Sequence, residues 1–207
     1  MIIIAFDPGA WLGWCALAVD AMGPRYLAAG VISVEELGEA RAREEALRHA
    51  DQVRATVAAV ERVERVLPTL AFQRGAAQQA GRLVAAAWLG GELAQGCRAA
   101  GRPVALVSAE QVRRHYVAPT GVAKRGERKP DMDAAVRAAV EHFVLWPGAI
   151  RGTGAAYRKD GSDLMSDRRA HAYDAALLAL YAGTVLAPAP IAATPPPHAQ
   201  LALRGGG

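Results

Sequence analysis

Met1-Ile2-Ile3-Ile4-Ala5-Phe6-Asp7-Pro8-Gly9 opens the chain. Ile2 to Phe6 is an unbroken apolar run rich in β-branched residues and too short for a helix, so it reads as a strand buried on both faces. Pro8-Gly9 then turns the chain sharply, which leaves Asp7 at the end of a central strand, aimed by rigid backbone. A buried carboxylate is costly unless a metal ion or a hydrogen-bonded partner compensates it. Asp7 therefore either caps the turn, as an Asx-turn before Pro-Gly, or anchors a metal or phosphate site. The rest of the chain bears on that choice.

Trp14 to Val19 reads as a second strand, and a turn at Gly23-Pro24 leads into a third, Tyr26 to Val34. Three consecutive strands with tight turns make an antiparallel meander. Charged residues then alternate with alanine from Glu35 to Arg54, with Leu47, Ala50, Val53 and Val57 at helical spacing, the pattern of an amphipathic surface helix. A fourth strand lies between Thr56 and Pro68, although no Gly or Pro marks where the helix stops. The apolar lead-in Val57 to Val60 puts Glu61 at the strand's end, whereas Arg62 to Leu67 around Glu64 is too charged for a strand covered on both faces. Both glutamates stay in play at this point, because the strand's start is unmarked.

Arg74 to Cys97 reads as a helix with Ala77, Gly81, Val84 and Trp88 on one stripe, Gly81 allowing another backbone to approach closely. Pro103 to Ser108 is a fifth strand, and Glu110 to Tyr116 a short helix. Thr120 to Pro130 has no apolar period and carries Lys124, Arg125, Arg128 and Lys129. Asp131 caps a helix with Met132, Val136, Ala139, Val140 and Phe143 at apolar spacing. Arg151 to Ser162 is a second Gly-rich basic loop, after which Ser166 caps a last helix, Asp167 to Ala182. This order predicts an α/β fold: a five-stranded mixed sheet, a three-strand antiparallel meander plus two parallel strands, with helices on both faces. One domain is expected over residues 1–185, followed by a disordered Pro/Gly-rich tail over 186–207.

The 207 residues are 52% hydrophobic and 21% charged, enough apolar material for one sizeable core. No apolar stretch is long enough to span a bilayer, and the N-terminus lacks the basic region of a signal peptide. The two cysteines, Cys15 and Cys97, fit no metal-ligand spacing and sit in apolar segments, which predicts a reduced, cytoplasmic compartment. A formal charge of +4 favours an anionic partner.

The last helix carries the other chemistry. His171 and Asp174 are three apart and share a face, and Asp167 lies four residues before His171 on the same side. Asp167 has a plain role available in favouring the helix N-terminus electrostatically. His171 has one as a core histidine bonded to a backbone carbonyl. Asp174 sits mid-helix among Ala172, Ala175, Ala176, Leu177 and Leu178, where an unpaired buried carboxylate is expensive and no Arg or Lys lies within the next turn, so it needs a partner from elsewhere.

Three features together resemble the RuvC-type Holliday-junction resolvases of the ribonuclease H-like superfamily: IIIAFDPG followed by GW, VERV from Val60 to Val63 followed by the small-residue helix AGRLVAAAW, and HAYDAAL from His171 to Leu177. They cover Met1 to about Gly183 in the family's order. The resemblance implies a ribonuclease H-like fold and a crossover junction endodeoxyribonuclease acting on four-way DNA junctions, as a homodimer. It implies that Asp7 bridges two metals, that Glu61 (or Glu64) is the fourth-strand carboxylate, and that His171 and Asp174 are the final-helix pair. Many members have acidic residues at both final-helix positions; histidine at the first supplies a nitrogen ligand that suits Mn²⁺ as well as Mg²⁺. Phosphodiester hydrolysis needs an activated water and a stabilised leaving oxyanion, which two divalent ions roughly 3.5–4 Å apart supply. Lys124, Arg125, Arg128 and Lys129 are the residues expected to meet DNA phosphates, the family's lysine corresponding to Lys124 or Lys129. The longer spacer after Glu61 and the loop Arg151 to Ser162 depart from the family's pattern.

Overall fold

The computed structural model describes residues 1–63, 76–117, 132–144 and 166–186. β1 (Ile2–Asp7), β2 (Trp11–Asp20) and β3 (Gly23–Ser33) form the meander. α1 (Val34–Leu37) and α2 (Glu39–Gln52) follow, then β4 (Val57–Glu61), α3 (Ala76–Ala99), β5 (Val104–Val107), α4 (Ala109–Tyr116), α5 (Met132–Phe143) and α6 (Ser166–Tyr181), which runs into a π-helical turn, Ala182–Leu186. The five strands lie in the order β3-β2-β1-β4-β5, with β1 pairing β4 and β4 pairing β5 in parallel. The expected mixed sheet is thus present, with β1 at its centre.

Strand ends differ from the expectation by a few residues. β2 starts at Trp11, three residues before the apolar run, and β3 starts at Gly23, so the tight turn falls before Gly23-Pro24. Pairing with a neighbour, rather than hydropathy, decides how far an antiparallel strand extends. The helix expected over Glu35 to Arg54 is broken at Gly38, whose φ of 77° suits only glycine comfortably. Ser33 caps the first piece by accepting a hydrogen bond from the Glu36 backbone N–H. The face of α2 turned to the sheet is Ala42, Ala46 and Ala50, all fully buried, and Val57 belongs to β4.

Alternation along β1 sends Ile3 and Ala5 to one side, and Ile4 and Phe6 to the other. On the first side α4, α5 and α6 cover the sheet, with Val112, Val140, Leu177 and Leu180 against Leu17, Val31 and Val107. On the second side α2 and α3 cover it, with Leu89, Leu93 and Cys97 against Phe6, Trp14 and Val60. Asp7 follows the parity of Ile3 and Ala5, so it faces α6.

The described residues of the stripe expected on α3, Gly81, Val84 and Trp88, face solvent. Leu89, Leu93, Ala94 and Cys97 meet the sheet, while Val84 and Trp88 are 53% and 66% exposed. α3 carries apolar residues nearly all round, so spacing alone identifies two stripes and does not choose which one packs.

Candidate active site

Asp7 and Glu61 end two neighbouring parallel strands. The register Ile3↔Val57, Ala5↔Ala59 and Phe6↔Val60 runs on to set Asp7 beside Glu61 on the α6 side. β4 ends at Glu61 in agreement with the apolar lead-in; Glu64 lies outside the described residues. α6 crosses the same edge of the sheet. It comes close because β2 has glycine opposite Asp7: a Cβ on Gly13 would stand 2.0 Å from the His171 carbonyl oxygen.

Nδ1 of His171 lies 2.8 Å from Oδ2 of Asp7. Asp7 is only 8% exposed. Ligand atoms of Asp7, His171 and Asp174 all lie within 4.8 Å of one another. Two carboxylates and an imidazole at that spacing are a donor set that could hold a divalent cation. Glu61 lines the adjoining cleft with Val112, Arg113, Asp174 and Leu177.

Packing so many acids together shows in their protonation. Burial pushes Glu61 up to about 9, helped by its hydrogen bond to Asp7 and by that residue's charge. Asp7 is pushed up to about 6, mainly by burial; the Glu61 hydrogen bond pulls the other way and the Asp174 charge adds to the rise. Asp174 is raised as well, by burial, against the pull of Arg113. At neutral pH Glu61 is thus a proton donor to Asp7, and the acids share fewer charges than their number suggests.

The partner that Asp174 needs is Arg113, which is not on its own helix. Its Nη2 donates to Oδ1 of Asp174 at 2.9 Å. Burial works against the Arg113 charge, but Asp174, Glu61 and Asp7 together hold it firmly protonated. The cation comes from α4, 61 residues earlier in the chain, so a search of the next helical turn misses it. The signal was available in topology. α4 starts directly after β5, β5 pairs with β4, and a residue in its second turn stands over the edge where Glu61 ends.

Lys124, Arg125, Arg128 and Lys129 lie outside the described residues, as do the loop Arg151 to Ser162 and the side chain of Asp167. Among the described residues, no helix is long and apolar enough to cross a membrane.

No family model and no curated protein matches this chain. Solved structures do. RuvC of Thermus thermophilus in complex with a Holliday junction substrate matches with a TM-score of 0.52 and 20% identity, over 87% of this chain and 90% of that one. A second structure of Thermus thermophilus RuvC matches with a TM-score of 0.51 and 20% identity, over 88% of this chain and 95% of the other. The fold is therefore the ribonuclease H-like fold of RuvC, as the sequence motifs imply.

Proposed function

We propose that this chain is a divalent-metal-dependent, structure-selective endonuclease that cuts phosphodiester bonds in branched DNA, four-way junctions above all, and works as a homodimer. The observation that carries the reading is the convergence of Asp7, His171 and Asp174 ligand atoms within 4.8 Å at the end of a buried strand, with Glu61 beside them. The RuvC fold supports the same reading, and a RuvC structure of that fold was solved on a Holliday junction.

Asp7, Glu61, His171 and Asp174 would hold Mg²⁺, with Mn²⁺ as a substitute. When bound, such ions activate water and stabilise the leaving oxyanion. The protein's own part is positional. β1 and β4 fix two carboxylates on rigid backbone, α6 lowers His171 and Asp174 onto them, and Pro8 and Gly90 close the second face behind. Glu61, protonated at neutral pH, must release its proton to become a ligand. Arg113 neutralises Asp174 and stands where a phosphate oxygen could share its guanidinium.

The Arg113–Asp174 pair also favours a second reading, a nucleic-acid-binding relative whose acid cluster is neutralised by protein alone. One experiment separates the two. Four-way junction, flap, duplex and RNA substrates are incubated with Mg²⁺, Mn²⁺ or EDTA and resolved on denaturing gels. Metal-dependent paired incision of the junction, lost in Asp7→Asn, is the expected result. Junction binding without cleavage under any metal would favour the second reading, and cleavage confined to RNA or flaps would replace the substrate.

A further inference from the structure

We propose that Arg113 gates metal loading: it competes with the divalent cation for Asp174, and a phosphodiester that draws its guanidinium away frees Asp174 for the ion. The inference rests on the metal-dependent nuclease reading above and adds an order of events within that site. It starts from one hydrogen bond that is made and one that is not. Nη2 of Arg113 donates to Oδ1 of Asp174 at 2.9 Å. Nε of the same guanidinium is buried and has no hydrogen-bond acceptor among the described residues.

Nε and Nη2 lie on one edge of the guanidinium plane, an edge that grips a two-oxygen anion with parallel hydrogen bonds. Asp174 therefore fills half of a fork. A buried donor without an acceptor counts against the pose that holds it, so the ion pair is poised for exchange. The two partners differ in their freedom to leave. Asp174 is held on α6 with its side chain 19% exposed, whereas the Arg113 side chain is 41% exposed and ends a long flexible stem. The guanidinium is the group that moves. A phosphodiester has two unesterified oxygens, the pair that fills Nε and Nη2 together.

The same geometry sets Arg113 against a metal. Asp174 supplies one of three ligand atoms that lie within 4.8 Å of one another. A carboxylate that already neutralises a guanidinium has less charge to offer a cation, and the guanidinium repels that cation at close range. Asp7 and Glu61 also act on the Arg113 charge, so its departure strengthens the whole cluster as a cation site. Anion and metal then bind cooperatively through Arg113, by linkage in both directions.

Two affinities measured on the full chain test the gate. The first is for Mn²⁺ alone, read from the electron paramagnetic resonance of the free ion at pH 8.5, above the value of about 6 to which Asp7 is pushed. Arg113→Gln should bind Mn²⁺ at least about fivefold more tightly than wild type, the low end of ordinary coupling between sites. Weaker or equal binding by the folded variant would overturn the proposal. The second affinity is for an uncut four-way junction by fluorescence anisotropy, in Ca²⁺ and in EDTA at matched ionic strength. Ca²⁺ takes the same oxygen donors, and a denaturing gel verifies that the junction stays intact. The gain in affinity from Ca²⁺ should be at least about fivefold smaller for Arg113→Gln than for wild type. Equal gains would overturn the anion's part in the gate. If Arg113→Gln does not fold, Arg113→Lys decides. It keeps the charge without the fork, so its Mn²⁺ affinity should match wild type while its Ca²⁺ gain shrinks; a full wild-type gain would overturn the proposal. Neither measurement depends on cleavage. A wild type that binds Mn²⁺ and cuts no DNA would sink the nuclease reading and not the gate, whereas failure of both proteins to bind Mn²⁺ would overturn the metal site and the gate with it.

Discussion

Asp7 and Glu61 sit within hydrogen-bond reach at adjacent strand ends, and burial raises both above ordinary carboxyl values, to about 6 and about 9. The folded state therefore holds these protons more tightly than the unfolded chain does. Their favourable contribution is complete below the unfolded values near 4 and is lost as pH rises through about 6 and then about 9. Without metal, the melting temperature should fall between pH 5 and pH 9, by about 2–4 °C for each kcal/mol lost. Asp7→Asn removes a titrating carboxyl and the charge that helps keep Glu61 protonated, so its curve should be flatter, with a higher melting point than wild type at pH 8. Added Mn²⁺ should raise the wild-type melting point and leave Asp7→Asn unmoved. A wild-type melting point that climbs from pH 5 to pH 9 in EDTA would show that these acids are not held protonated by the fold. Cleavage by Asp7→Asn should drop by about 10²–10³-fold or more, the scale of losing one preorganised charge-stabilising group. Arg113→Gln leaves Asp174 without its cation. Its pH–rate profile should move to higher pH, because Asp174 would then ionise less readily, and an unmoved profile would show that the pair does not tune the site.

At the scale of elements, α6 reaches the sheet through Gly13. Gly13→Ala puts a methyl group into the His171 backbone, which has no flexible end to move aside. The helix must lift, and His171 and Asp174 must leave Asp7 together; overpacking of this kind costs about 1–3 kcal/mol or more. Gly13→Ala should therefore lose both metal-induced stabilisation and cleavage. Gly30→Ala, whose methyl would first meet the side-chain ring of Trp14, should keep more of both. Equal behaviour of the two variants in thermal melts would show that Gly13 is not what seats the helix. This contact also marks the limit of what the sequence discloses. β1 and the end of β4 were legible, because a buried parallel strand is apolar until the polar residue that ends it. So were His171 and Asp174, because polar residues on an otherwise apolar helix stand out. Arg113 was not, since its partner is 61 residues away and only strand order brings α4 over Glu61. Nor was the orientation of α3, where both faces are apolar and small. Local patterns record what an element buries, and only topology records what it is buried against.

For the whole molecule, the acid cluster and the net charge of +4 pull against each other on a polyanionic substrate. The Asp7 carboxylate opposes the phosphate the site is proposed to cut, so affinity must come largely from the chain's cations. Arg113 touches the cluster itself, and the basic run Lys124, Arg125, Arg128 and Lys129 is the sequence's densest source of further charge. Each phosphate neutralised on duplex DNA releases counterions and contributes about −0.9 to the slope of log K against log salt. Replacing all four basic residues with alanine should therefore flatten the slope for junction binding by up to about 3–4 units. Asp7→Asn should behave oppositely in EDTA. It removes a repulsive charge and no phosphate contact, so the junction should bind at least as tightly as to wild type, with the slope unchanged. Titrations of both variants from low to high salt by fluorescence anisotropy give the two slopes directly. A quadruple variant with the wild-type slope would move the DNA surface to the arginines around α4. A loss of binding in Asp7→Asn would mean that the acid cluster holds the protein's shape and does not oppose its substrate.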